Sequence, residues 1–147
     1  TTIKTSFIIN PQILRVFWFF AFARAALAMF AKTTDNSFLK IAEQKAKALQ
    51  KEQVAWSNAF GLSIESSVMY YQKNLSQAIE LLKKAEEVFL SANMQLYAVA
   101  ACRQCGILLA NETGKKMIQE ADKYLLSQQI KCLDKFTRLL IPIKPKE

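Results

Sequence analysis

The sequence predicts an all-α protein of about six to seven helices in antiparallel pairs, and three observations carry that prediction. Glycine and proline occur three times each in 147 residues, too few turn residues for an all-β chain. Apolar residues recur three and four apart, the period of one helix face. Between these stretches stand corners of a few polar residues, the short connections that antiparallel neighbours need. With 52% hydrophobic and 22% charged residues, residues 1–147 read as a single domain able to bury a sizeable core.

The first helix is written in "NPQILRVFWFFAFARAALAMFAKTTD". Asn10 is placed to cap it, and Pro11 takes the first helical position, where its missing N–H costs nothing. Val16 to Phe30 is apolar almost all round, which calls for burial on several sides. Arg24 interrupts the run and Arg15 flanks it, leaving fewer than the roughly 18 uninterrupted apolar residues of a membrane span. A buried helix, covered by a neighbour upstream of the sequence, is therefore expected. The alternative is a small membrane-associated protein anchored by residues 11–30.

"NSFLKIAEQKAKALQKEQ", with Asn36 or Ser37 as cap, sets Phe38, Ile41, Ala42, Lys45, Ala46 and Leu49 along one stripe of an amphipathic helix. In "VAWSNAFGLSIESSVMYYQKN", Trp56, Phe60, Ile64 and Val68 stand four apart, and Asn74 is a stop. "LSQAIELLKKAEEVFLSAN" buries Ile79, Leu82, Ala85, Val88 and Phe89 behind a Ser76 cap. "QLYAVAACRQCGILLAN" is alanine-rich, and "GKKMIQEADKYLLSQQ" turns Met117, Ile118, Ala121, Tyr124 and Leu125 inward. A last short helix, "CLDKFTRLLI", ends before Pro142, and residues 142–147 are expected to fray.

Helix pairs of this length call for a search for repeats. In residues 58–93, Ala78, Leu82 and Ala85 follow a small-large-small rhythm that lets one helix nest on the next. Met69, Tyr70 and Leu75 stand near the first-helix and corner positions of a 34-residue tetratricopeptide unit. "AEQKAKAL" before and "MIQEADKYL" after keep the rhythm without the residues. The pattern predicts a degenerate tetratricopeptide-like right-handed solenoid. Ala78, Leu82, Ala85, Phe89, Ala92, Tyr97, Gly106 and Ala121 are its expected packing positions, and Tyr70, Tyr71 and Tyr97 are a candidate peptide groove, with ordinary helix packing the alternative reading of the same aromatics.

Composition removes much chemistry. The chain has no histidine, the usual acid-base group near neutral pH and the commonest metal ligand. Three cysteines fit free thiols in a reducing cytoplasm. Cys102 and Cys105 form a C-x-x-C with no second pair to complete a metal site. Net charge is +8, spread along the chain with few arginines, which reads as solvated helix faces rather than a nucleic-acid surface. In "CGILLANETGKKMIQEA", Gly106 and Gly114 are seven residues apart and Lys115 is followed by Lys116, so the phosphate-loop pattern fails. Asn111 closing one helix, Thr113 capping the next and Gly114 easing the corner is the reading that remains. No catalytic, cofactor-binding or metal-binding residue is expected, and no cofactor.

From Leu75 onward Ala85, Glu86, Phe89, Ala92, Met94, Leu96, Tyr97, Ala98, Ala100, Arg103 and Gly106 stand in order. Gly114, Ala121, Gln128 and Ile130, then Phe136, Leu140 and Pro142, follow. This series resembles the C-terminal end of large bacterial serine/threonine protein kinases, in which a kinase domain precedes a predicted ATPase module and a helical-repeat tail. The resemblance spans roughly residues 15–142 and departs at Lys131 and Cys132. It implies a fragment of a longer signalling chain, with kinase chemistry and ATP binding upstream. The glycine-rich loop, H-R-D and D-F-G of a kinase are not in these residues. The expectation is a non-catalytic, cytoplasmic scaffold that contacts a protein or peptide and upstream repeats of the same chain, without nucleic acid or membrane.

Overall fold

The computed structural model describes residues 11–145, which form seven α-helices and no strand. They are α1 (Pro11–Thr33), α2 (Asn36–Gln50), α3 (Ala55–Tyr71), α4 (Leu75–Ser91), α5 (Gln95–Leu109), α6 (Glu112–Ser127) and α7 (Leu133–Leu140). Consecutive helices from α1 to α6 pack on one another, α1 also reaches α3, and α5 reaches α7.

The division of labour among helices follows from residue size. The amphipathic α2, α4 and α6 bury one stripe each, as in Leu39, Ala42, Ala46 and Leu49 of α2. Helices α3 and α5 are covered on several sides and are built from small residues there: Ser57, Ala59, Gly61, Ser63, Ser66 and Ser67 in α3, and Ala98, Ala100, Ala101, Cys105 and Gly106 in α5. Buried serines stay satisfied by donating to carbonyls, Ser57 to Leu49 at 2.7 Å and Ser63 to Phe60 at 2.8 Å.

Phe60, fully buried, is the hub of the core. Its ring stacks on Phe20 of α1 at 4.1 Å and meets Phe89 of α4 at 5.6 Å and Tyr97 of α5 at 5.1 Å edge-on. One aromatic cluster thus ties four helices together. On α1, Val16, Phe20, Ala23, Ala26 and Leu27 face this core, while Leu14, Phe17, Trp18 and Phe22 stay exposed. This helix, of mean hydropathy 1.7 over its most apolar window, is long and apolar enough to cross a membrane by length and composition alone.

The corners use residues that periodicity does not reveal. Thr34, Gln53, Lys73, Asn93, Ala110 and Gln129 all adopt positive φ, and none is glycine. After α3, α4 and α6 the turn is a paired one: Asn74 N–H donates to Met69 O, Met94 to Phe89 and Ile130 to Leu125. Corners at 34, 53, 73, 93, 110 and 129 give a helix pair of about 36 to 40 residues, longer than the 34 of a tetratricopeptide unit.

Several caps sit one or two residues from their expected places. Asp35, not Asn36 or Ser37, caps α2 by accepting from Ser37 N–H. Asn74, not Ser76, caps α4, and Ser76 Oγ donates to its side chain instead. Asn111 caps α6 rather than closing α5, leaving Thr113 and Gly114 inside α6. Each true cap is the residue whose side-chain oxygen meets the first free N–H groups. Asn10, Lys146 and Glu147 lie outside the described residues.

The segment expected to fray is docked as far as Pro145. Ile143 is fully buried, as is Ile141 before it. Two isoleucines spaced by one residue give an extended chain an apolar face, and its burial outweighs the pull of the prolines and lysine toward solvent.

Candidate functional site

Pro142 cannot continue α7, and Ile141 leaves the helix at φ −125°, ψ 95°, in extended backbone. From there the chain crosses a face lined by α1, α3 and α5. Side chains of α3 and α5 bind the backbone of this stretch, and α1 binds the last turn of α7 that leads into it. Arg24 Nη1 of α1 donates to Leu139 O at 2.9 Å. Gln104 Nε2 of α5 donates to Ile141 O at 2.8 Å and to Ile143 O at 3.1 Å. From α3, Tyr70 Oη donates to Lys144 O at 3.3 Å, and Lys144 N–H donates to Tyr71 Oη at 3.4 Å.

Gln104 is the centre of this arrangement. Only 1% exposed, an amide there is costly unless its hydrogens are used, and both bonds go to carbonyls two residues apart. Ile143 N–H also donates to Ile141 O at 2.8 Å, a tight turn about Pro142 that brings both carbonyls within reach of one amide. Bonds of this kind, directed at the backbone, hold a path without reading its side chains. Burial pushes the Tyr71 phenol above its ordinary value, with Lys144 N–H pulling the other way.

Arg24 is the unusual cation of this face. Its guanidinium lies 4.4 Å over the Phe20 ring, its Nε is buried without a hydrogen-bond partner among the described residues, and burial lowers its pKa. Arg103, next to Gln104, is 7% exposed and bridges Asp122 of α6 at 2.6 Å and Asp134 of α7 at 2.8 Å. Burial pulls its pKa down, and the bonds to the two carboxylates outweigh it. This bridge sets α7 on α5 and so aims the extended stretch.

The residues singled out from sequence fall in distinct places. Ala78, Leu82, Ala85 and Phe89 are fully buried along α4, and Ala92 is half-buried at its end. Ala121 joins Val99 and Leu125 in a small cluster between α5 and α6. Gly106 meets Gly114 where those helices cross: a Cβ on Gly106 would sit 2.6 Å from Gly114 O. Tyr70 and Tyr71, rings 5.3 Å apart, come together at the extended stretch. Tyr97 does not join them and stacks on Phe89 at 5.3 Å in the core.

Cys102 and Cys105 are not poised for chemistry. Burial, with Glu86 beside it, pushes Cys102 up to about 12, and burial raises Cys105 as well, so both stay protonated at neutral pH. Arg24 and Gln104 are the site residues the sequence concealed, since nothing local marks a side chain that bonds a backbone far along the chain. The isoleucines at 141 and 143 were the available signal.

Compared with known protein families, with curated proteins and with solved structures, the chain matches none.

Proposed function

We propose that this chain is a non-catalytic helical-repeat scaffold that binds an extended segment of a protein or peptide across α1, α3 and α5. The observation that carries the reading is Gln104, whose buried amide holds the carbonyls of Ile141 and Ile143. The contacts of α1 with α3 and of α5 with α7 support stacking of the pairs as a degenerate right-handed solenoid of the tetratricopeptide kind. The exposed Phe17, Trp18 and Phe22 of α1 support a further helix, from upstream repeats of the same chain, packing there. The series from Ala85 to Gly106 supports an origin in the C-terminal tail of a bacterial serine/threonine protein kinase-type signalling protein in the cytoplasm.

The test is selection of peptides from a displayed random library on the intact chain, followed by binding to Gln104→Leu. The expected result is enrichment of extended apolar sequences whose affinity falls at least tenfold in the variant while helicity is kept. Failure to enrich, or affinities indifferent to Gln104→Leu, would overturn the reading. The exposed face of α1 favours one competitor, membrane association through residues 11–30. Co-sedimentation with phospholipid vesicles, abolished by Trp18→Glu, would favour that instead.

A further inference from the structure

The stretch that occupies the groove is poorly matched to it in charge. Two clefts flank it, one of about 240 Å³ against Leu27, Ala28, Ala31 and Ile143, the other running on to Phe30 and Pro145. Lys32, Arg138, Lys73 and Lys144 line these two without a carboxylate among the described residues, and a third cleft, beside Gln104 and Lys144, adds Arg103 and Arg138 with Asp134, which is already paired with Arg103. None of the first four, nor Arg24, takes part in a described ion pair. Lys144 therefore brings a positive charge into a basic site, a juxtaposition that selects against this occupant.

Its hold is also divided. Among the described residues, the one backbone-to-backbone bond of residues 142–145, Ile143 N–H to Ile141 O, closes a turn within the stretch itself, and the tyrosine contacts to Lys144 are long. Unfilled apolar cleft beside Ile143 leaves room for a larger side chain.

We propose that the groove binds an extended, acidic segment of a partner protein with apolar side chains two residues apart, and that Ile141–Pro145 is its built-in, displaceable competitor. This rests on the peptide-binding reading above and adds the partner's charge and the occupant that regulates access. Carboxylates on the partner meet the lysines and Arg138, and its apolar residues take the places of Ile141 and Ile143.

Two synthetic peptides test it by fluorescence anisotropy: the chain's own IPIKPKE, and IPIEPEE, with glutamate in place of both lysines. Each is titrated into the intact wild-type chain and the full-length Ile143→Asp variant, whose stretch is released. The expected result is at least tenfold tighter binding of both peptides to Ile143→Asp, with the acidic peptide tighter than the native one and weakened by salt. Hydrogen exchange on the wild type supplies the second readout. Ile143 and Lys144 amides should exchange at least a hundredfold faster than those of Ile64 and Ala100.

Equal affinities of wild type and variant, with binding intact, would overturn displacement while leaving the peptide-binding reading standing. No binding to a folded Ile143→Asp would overturn both. Tail amides as protected as Ile64, or loss of helicity in the variant, would make the stretch part of the core and overturn the proposal. Tighter binding of the native peptide than the acidic one would overturn the partner's charge.

Discussion

Gly106 and Gly114 are packed backbone to backbone, each filling with its carbonyl the space where the other's side chain would be. Helices α5 and α6 approach this closely only because neither residue has a Cβ. Gly106→Ala is expected to destabilise the fold by about 1–3 kcal/mol through overpacking, and Gly114→Ala by a similar amount. Thermal denaturation checks this, and unchanged melting of either variant would contradict the crossing.

Arg103 joins three helices, and its partners differ in burial: Asp122 is 28% exposed and Asp134 69%. Arg103→Ala leaves a partly buried carboxylate alone and is expected to cost about 3 kcal/mol. Asp134→Ala removes an exposed partner and is expected to cost less than about 1 kcal/mol. Urea denaturation gives the order, with Asp122→Ala between them.

Lys73 and Gln129 hold left-handed backbone at φ 65° and 62° without the freedom of glycine. Lys73→Gly and Gln129→Gly are expected to stabilise by about 0.5–1 kcal/mol each, because the strain removed exceeds the entropy glycine adds. Midpoints in urea should rise, and additively, since the two corners are apart.

Thiol chemistry should follow burial. Cys132 is exposed, Cys105 buried and Cys102 half-buried, so a disulfide-exchange reagent at pH 8 should modify one thiol in the native protein and three in denaturant. Cys102 is raised from 9.0 to about 12. The unfolded chain thus loses that proton first as pH rises. Its contribution to stability is complete below pH 9 and is lost between pH 9 and 12, a decline that Cys102→Ala should lessen.

How legible these features were depended on their range. All seven helices could be read because the stripes of α2, α4 and α6 are local and periodic, and Pro11 opens α1 where its chemistry allows. The caps shifted because Asp35, Asn36 and Ser37 are all competent, and only backbone direction decides which oxygen meets a free N–H. The corners were obscure because positive φ was carried by Lys73, Asn93, Ala110 and Gln129 rather than by glycine. The groove was half visible: Tyr70 and Tyr71 stood out as aromatics, whereas Gln104 acts on a backbone more than thirty residues away. For the last stretch, its prolines and lysine masked the alternation of Ile141 and Ile143, which is what docks it.

Where an acidic extended peptide binds decides between the groove and the outer face of α1. Methyl and side-chain amide NMR of the intact chain titrated with IPIEPEE reports it. The Gln104 side-chain amide and the Leu27 and Ile143 methyl signals should shift together, with Ile143 moving toward a solvent-exposed position. Shifts confined to Leu14 and Met29 on the outer face of α1, with Gln104 and Ile143 unmoved, would contradict it.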